Sequence, residues 1–332
     1  VNKLKGLANP GAQEVSAADL KAYFEASDET VDADLSVAPG ELPLLGDFVK
    51  IAELSSSAKN IEGKTSTETL IDDNPSFKGK NAVELVNSWL ETIAANSKTS
   101  KLGSFEVLLD EDKRDLSQLI QKLLHGAMSL DQAANNYLAD LGDNASADEG
   151  KKYSDAEHHY DEAFGYFGAA RDYLTYSNDA LAGKNGENPY KDSDADGYLD
   201  LYSEVNFGLS KNAGKRNRID CQVNLTRDVF VAFHAGRQAL AEGAAESDAS
   251  VQGAIIDALA AWEKTLASTA LHYVNDVLED QASYDAEDLS LYSESDHSKH
   301  WSELKGFSLA LQFNNNKIIS NGELKELQEL IG

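Results

Sequence analysis

The chain has 332 residues, 57 of them acidic and 29 basic, for a formal charge of −28 at pH 7, and 42% of it is hydrophobic. That length supports a sizeable core in two domains or one double-length fold, while the acidic excess argues against nucleic acid or an anionic membrane as partner. The single Cys221 excludes an internal disulfide and a thiolate metal site, so any metal must be held by oxygen and imidazole nitrogen.

The chain opens with Val1 rather than Met. An export signal removed upstream would explain this, so the expected location is the periplasm or cell surface, with a lipid anchor before processing as one form of it. No apolar run approaches the roughly 20 residues of a membrane span. Residues 1 to about 40 are polar, with a short helix expected near 16–26 behind a Ser16 cap. A second amphipathic stretch, over 41–62, carries Leu44, Leu45, Phe48, Val49, Ile51 and Leu54. Polar loops then lead to a helix over 81–95, with Leu85, Val86, Trp89 and Ile93 on its apolar side. From 112 to 141 apolar residues recur at three and four, from Leu116 to Met128, with a break at Leu130-Asp131. After an acidic loop over 142–150 comes a helix over 153–176, then an irregular insert over 183–197. Helices follow over 199–212, 217–241, 249–280, 296–313 and 322–331. With no strand or hairpin signal, the fold expected is all-α, built of antiparallel bundles. Residues 1–110 form an N-terminal helical segment with polar loops and 111–332 the bundle core, the two packing as one unit.

Two segments with matching flanks carry the metal-type chemistry. One reads His159-Tyr160-Asp161-Glu162-Ala163-Phe164-Gly165-Tyr166, the other His300-Trp301-Ser302-Glu303-Leu304-Lys305-Gly306-Phe307. Residues three apart share a helix face, so each segment offers an imidazole beside a carboxylate, and two such faces turned together would suit a divalent metal. Glu157, His158 and Asp161 stand within reach as further ligands. The competing reading, at about even weight, is two solvated surface pairs. Gly165 and Gly306, one turn past each glutamate, point to close helix contact, because glycine costs about 1 kcal/mol inside a helix. His234 and His272 read as core or boundary histidines, and His125 and His297 are weaker candidates still.

A second constellation is Asp192-Ser193-Asp194-Ala195-Asp196-Gly197-Tyr198-Leu199-Asp200. Aspartates at loop positions one, three and five, glycine at six and an acid at nine match the front of a calcium loop, with the Tyr198 carbonyl at seven. Ser203 stands at position twelve and Glu204 one residue late, so the loop lacks the closing glutamate of a full EF-hand. The basic run 211–218 is expected to pair with acidic faces inside the molecule. No nucleotide-binding or hydrolase motif is present.

The runs QLIQKLLHGAMSLDQAANNYL (118–138), EHHYDEAFGYFG (157–168) and HWSELKGFSLALQFN (300–314), with the aspartate loop, resemble the bacterial family called domain of unknown function 4856, over roughly residues 110–320. Members of that family occur among exported proteins. A more distant similarity is to imelysin-like proteins, marked by GxHxxE on a helix. Here His300 and Glu303 match the motif, but Ser298 stands where its glycine belongs, and Glu157 does in the first copy. The resemblance implies a double helical bundle with the calcium-type loop on its insert, and a link to iron acquisition. On that view His159, Glu162, His300 and Glu303 hold iron or zinc, and an outer-membrane or cell-surface uptake protein is the partner. The alternatives are a calcium-stabilised surface interaction protein and an imelysin-like metallopeptidase; no HExxH motif supports cleavage, and a catalytic role is the weaker expectation.

Overall fold

Polar side chains at the right places start most of the helices. The computed structural model describes residues 2–26, 59–145, 147, 150–285 and 288–332. Among the described residues twelve α-helices form: α1 (Asn2–Gly6), α2 (Ala17–Glu25), α3 (Ile61–Lys64), α4 (Ala82–Ser97), α5 (Leu116–Leu124), α6 (Asp155–Phe167), α7 (Asn178–Ala182), α8 (Leu209–Arg216), α9 (Leu225–Ala241), α10 (Ala249–Ala282), α11 (Glu294–Ala310) and α12 (Asn321–Ile331). Ser16, Asn81, Ser154 and Ser320 open capping boxes, each answering a carboxylate at the third helical position. No strand forms among the described residues, only isolated bridges. The all-α expectation holds.

The 34-residue α10 is the spine. It packs between α9 and α11, α11 in turn packs on α5, and α6 packs on α9. The interior divides into two apolar cores. One takes Leu4, Leu20, Phe24, Phe77, Trp89 and Ile93 from the N-terminal third and is completed by Leu119, Leu123, Leu309 and Phe313. The other gathers α6, α8, α9, α10 and the middle of α11 around Trp262, Tyr160, Phe167 and Phe307. The C-terminal half of α11 therefore serves both cores, Leu304, Phe307 and Ala310 facing one and Leu309 the other.

Several expected boundaries move, each for a local reason. Most of the stretch over 41–62 lies outside the described residues; within 59–62, α3 begins at Ile61. The helix expected over 153–176 stops at Phe167. Gly168 takes φ 83°, and a Cβ there would sit 2.4 Å from the Phe207 carbonyl oxygen, so the chain must turn. Residues 199–208 are turns and loop, not helix, and α9 starts at Leu225 rather than near 217. The break expected at Leu130-Asp131 does not occur: Asp131 is itself helical and joins two π-helical stretches, His125–Leu130 and Gln132–Tyr137. There Gly126 lies so close to the end of α11 that a Cβ would meet the Ala310 carbonyl oxygen at 2.2 Å.

Candidate functional site

The two HxxE helices do not assemble a common ligand set. α6 and α11 share no extended packing. Among the described residues, the one group of three or more His, Cys, Asp or Glu side chains with ligand atoms within 4.8 Å of one another is Asp192, Asp194 and Asp196. His159, Glu162, His300 and Glu303 are not gathered, and each is engaged elsewhere.

On α6, His159 Nδ1 lies 3.1 Å from the Asp140 carbonyl oxygen, and its ring meets Tyr137 edge-on. His158 stacks on Tyr153 and stands 3.9 Å from Glu162 across one turn. Glu157 caps the helix through Ser154 and takes the Arg237 guanidinium of α9 at 2.5 Å, while Asp161 takes the same group at 2.9 Å. Burial tends to raise the Glu157 carboxyl, but the Ser154 and Arg237 hydrogen bonds outweigh it and hold it below the usual range. Glu157 and Asp161 thus organise the α6–α9 contact through Arg237.

On α11 the second motif is a packing hub. Glu303 is buried and pairs with Lys122 of α5 at 3.3 Å. Burial lowers the Lys122 ammonium to about 8, with Glu303 pulling the other way. Burial first and the Glu303 charge second raise the phenol of Tyr273. His300 faces Asp280 of α10 at 2.9 Å, with His297 3.7 Å from the same oxygen. Ser302 Oγ accepts the Asp115 N–H, Lys305 pairs with Asp72 in full burial at 2.8 Å, and Gly306 lets the Lys122 side chain pass. Asp280, Lys122, Asp72 and Arg237 lie on other elements, and nothing in the local motifs signals them.

The remaining histidines are scattered. His234 is exposed beside Phe230, which corrects the core or boundary reading, and His272 pairs with Asp276 at 3.4 Å across one turn. His125 stacks on Phe307, and burial, with the Lys122 charge second, lowers its imidazolium to about 3. In the basic run, Lys211, Lys215 and Arg216 make no carboxylate ion pair among the described residues, contrary to the pairing expected. Lys215 and Arg216 instead occupy the last turn of α8, where the helix dipole favours cations.

The aspartate loop is held by its own turns and hydrogen bonds. Ala195 at φ 60° and Gly197 at φ 87° make the sharp turns, and the Asp196 and Gly197 N–H groups donate to the two Asp192 carboxylate oxygens at 3.2 and 2.9 Å. Burial, then the charges of Asp196, Glu204 and Asp192, raise the Asp194 carboxyl despite hydrogen bonding from Asp196. Glu204, buried beneath, accepts Ser193 N–H at 2.6 Å and Asp200 N–H at 2.9 Å. Asp200 takes the Tyr202 N–H and the Ser203 hydroxyl. Asp200 and Glu204 thus shape the loop from below, and the open carboxylates are the first three. Bridge pairing of Tyr190 with Val205 closes the neck, and Arg171 N–H to the Ser203 oxygen fastens it to the bundle.

The model of the family described as domain of unknown function DUF4856 matches residues 50–326, so this chain belongs to that family. No curated protein and no solved structure matches it.

Proposed function

We propose that this protein is a calcium-stabilised, exported interaction protein, and that Asp192, Asp194 and Asp196 hold the ion. The observation that carries this reading is the convergence of those three carboxylates within 4.8 Å, on a loop whose turns and hydrogen bonds are already formed. Calcium takes six to eight oxygens. The three carboxylates and the Tyr198 carbonyl would supply part of that shell, and water the rest. Burial first and the neighbouring carboxylates after it raise Asp194, and a cation there would offset that second contribution. The neck of the insert is tied to the end of α6 and to Arg171, so bound calcium would stiffen a surface that presents Tyr198 and Tyr202 to solvent. Iron or zinc shared by His159, Glu162, His300 and Glu303 gains no support from this arrangement.

Calorimetric titration of the chelator-treated chain with calcium chloride tests the proposal. With few protein ligands, one weak site is expected, with Kd of order 10⁻⁴ to 10⁻³ M, together with a higher melting temperature in calcium; both are lost in Asp194→Asn. Absence of heat and of any melting shift at about 100 times that Kd would overturn it.

A further inference from the structure

Beside the insert, α6, α9 and the turn at 169–171 enclose a cleft of about 460 Å³. This is within the size range of small-molecule sites, roughly 300–1,000 Å³. Its walls are aromatic: Phe164 meets Phe230 and Phe233 edge-to-face at 5.9 and 5.4 Å, and Tyr202, 81% exposed, stands at the rim. Gly165 lines it too, and a Cβ there would meet nothing within 4 Å. This glycine, unlike Gly306, answers to no neighbouring helix, and what it leaves is room.

The charged and polar lining is Asp161, Arg171, His234 and Arg237, with the phenols of Tyr160 and Tyr202. Arg237 is consumed by Glu157 and Asp161. Arg171 is exposed at the cleft, its backbone N–H fixed to Ser203, and its guanidinium has no carboxylate partner among the described residues. On the inner side Tyr160 is 1% exposed, and its hydroxyl has no hydrogen-bond partner among those residues. That hydroxyl lies against Gly236 of α9, closed to solvent, and takes no part in the cleft.

From the aromatic walls, the void over Gly165 and the unpaired Arg171, we infer that this cleft binds a small cyclic, largely apolar molecule bearing one anionic group. The rings take the apolar body and Arg171 the carboxylate, sulfonate or phosphate. In a chain of charge −28, an uncompensated guanidinium beside a hydrophobic recess selects for this class over a neutral or cationic one.

The test uses the full chain and two dyes, the aromatic sulfonate 1-anilinonaphthalene-8-sulfonate and the uncharged N-phenyl-1-naphthylamine. Wild type is expected to bind both saturably, one per chain. Gly165→Leu puts a side chain into the void, its Cβ meeting no atom within 4 Å; it should keep the wild-type melting temperature and lose both dyes. Arg171→Ala should weaken the sulfonate roughly tenfold, the size of one charge-assisted hydrogen bond, and leave the uncharged dye unchanged; Arg171→Lys should recover part of the loss. No saturable binding by wild type, or unchanged binding by a folded Gly165→Leu, overturns the site. Equal weakening of both dyes by Arg171→Ala overturns the anionic part.

Discussion

Two glycines at matching places in two matching sequences do opposite things. At Gly306 a Cβ would come 2.6 Å from the Lys122 Cβ, so helix contact requires the glycine; at Gly165 the space is open. Gly165→Ala should therefore stabilise the chain by about 0.5–1 kcal/mol through helix propensity. Gly306→Ala should cost about 1–3 kcal/mol by overpacking. Urea denaturation of the two variants decides the matter, and shifts of the same sign would refute the distinction. The same lesson covers the histidines. HxxE places an imidazole and a carboxylate on one face, but which element that face meets is a tertiary fact. Asp280 answers His300, and Lys122 answers Glu303, from helices distant in sequence. The clustering of Asp192, Asp194 and Asp196 was legible because the three lie within five residues and their turns are set by local backbone.

At the scale of elements, capping residues and apolar spacing located α2, α4, α10, α11 and α12 closely, since both signals are local. Gly168 and the turns after the aspartate loop broke the pattern through contacts with Phe207 and Glu204 that no periodicity encodes. The π stretch likewise needs its tertiary partner, because Gly126 rests on Ala310. It also sets His125 against Phe307. That imidazole titrates at about 3 in the folded chain and at about 6.5 unfolded. Between those values the unfolded state binds the extra proton, so this group's contribution to stability falls as pH drops through the window. The ring keeps some solvent contact, so a loss of about 1 kcal/mol between pH 7 and 5 is expected relative to His125→Phe. Chemical denaturation of both chains at the two pH values measures it, and parallel pH profiles would contradict it.

Across the whole molecule, the N-terminal third is bound to the bundle by buried polar ties as well as by shared apolar core. Asp72 and Lys305 pair at 2.8 Å with almost no solvent exposure, and Lys305 also donates to the Gln328 carbonyl. Burial, opposed by Asp72, lowers the Lys305 ammonium. Gln312 meanwhile bonds the backbone of Thr69 and Ile71. Asp72→Asn strands a buried ammonium and should cost about 3–5 kcal/mol, whereas Asp72→Asn with Lys305→Met should recover much of that loss. Because the pair joins segments far apart in sequence, wild type should unfold in one transition by both fluorescence and circular dichroism. Two separated transitions would show the N-terminal third to be an independent unit.

The π stretch has one more consequence, which concerns chain length. A π turn closes from residue i to i+5 and so spends roughly one residue more than an α turn. The Leu138 N–H reaching back to the Ala133 oxygen at 2.9 Å is such a closure. Two of these stretches in succession take up surplus residues between Leu124 and Leu138 without expelling a loop. The Ala127 carbonyl meanwhile accepts the Ser66 N–H at 2.7 Å. The stretch thus behaves as an insertion swallowed by a helix. Removing a single residue there would turn everything after it by about 100°, one α-helical residue, taking Tyr137 away from His159.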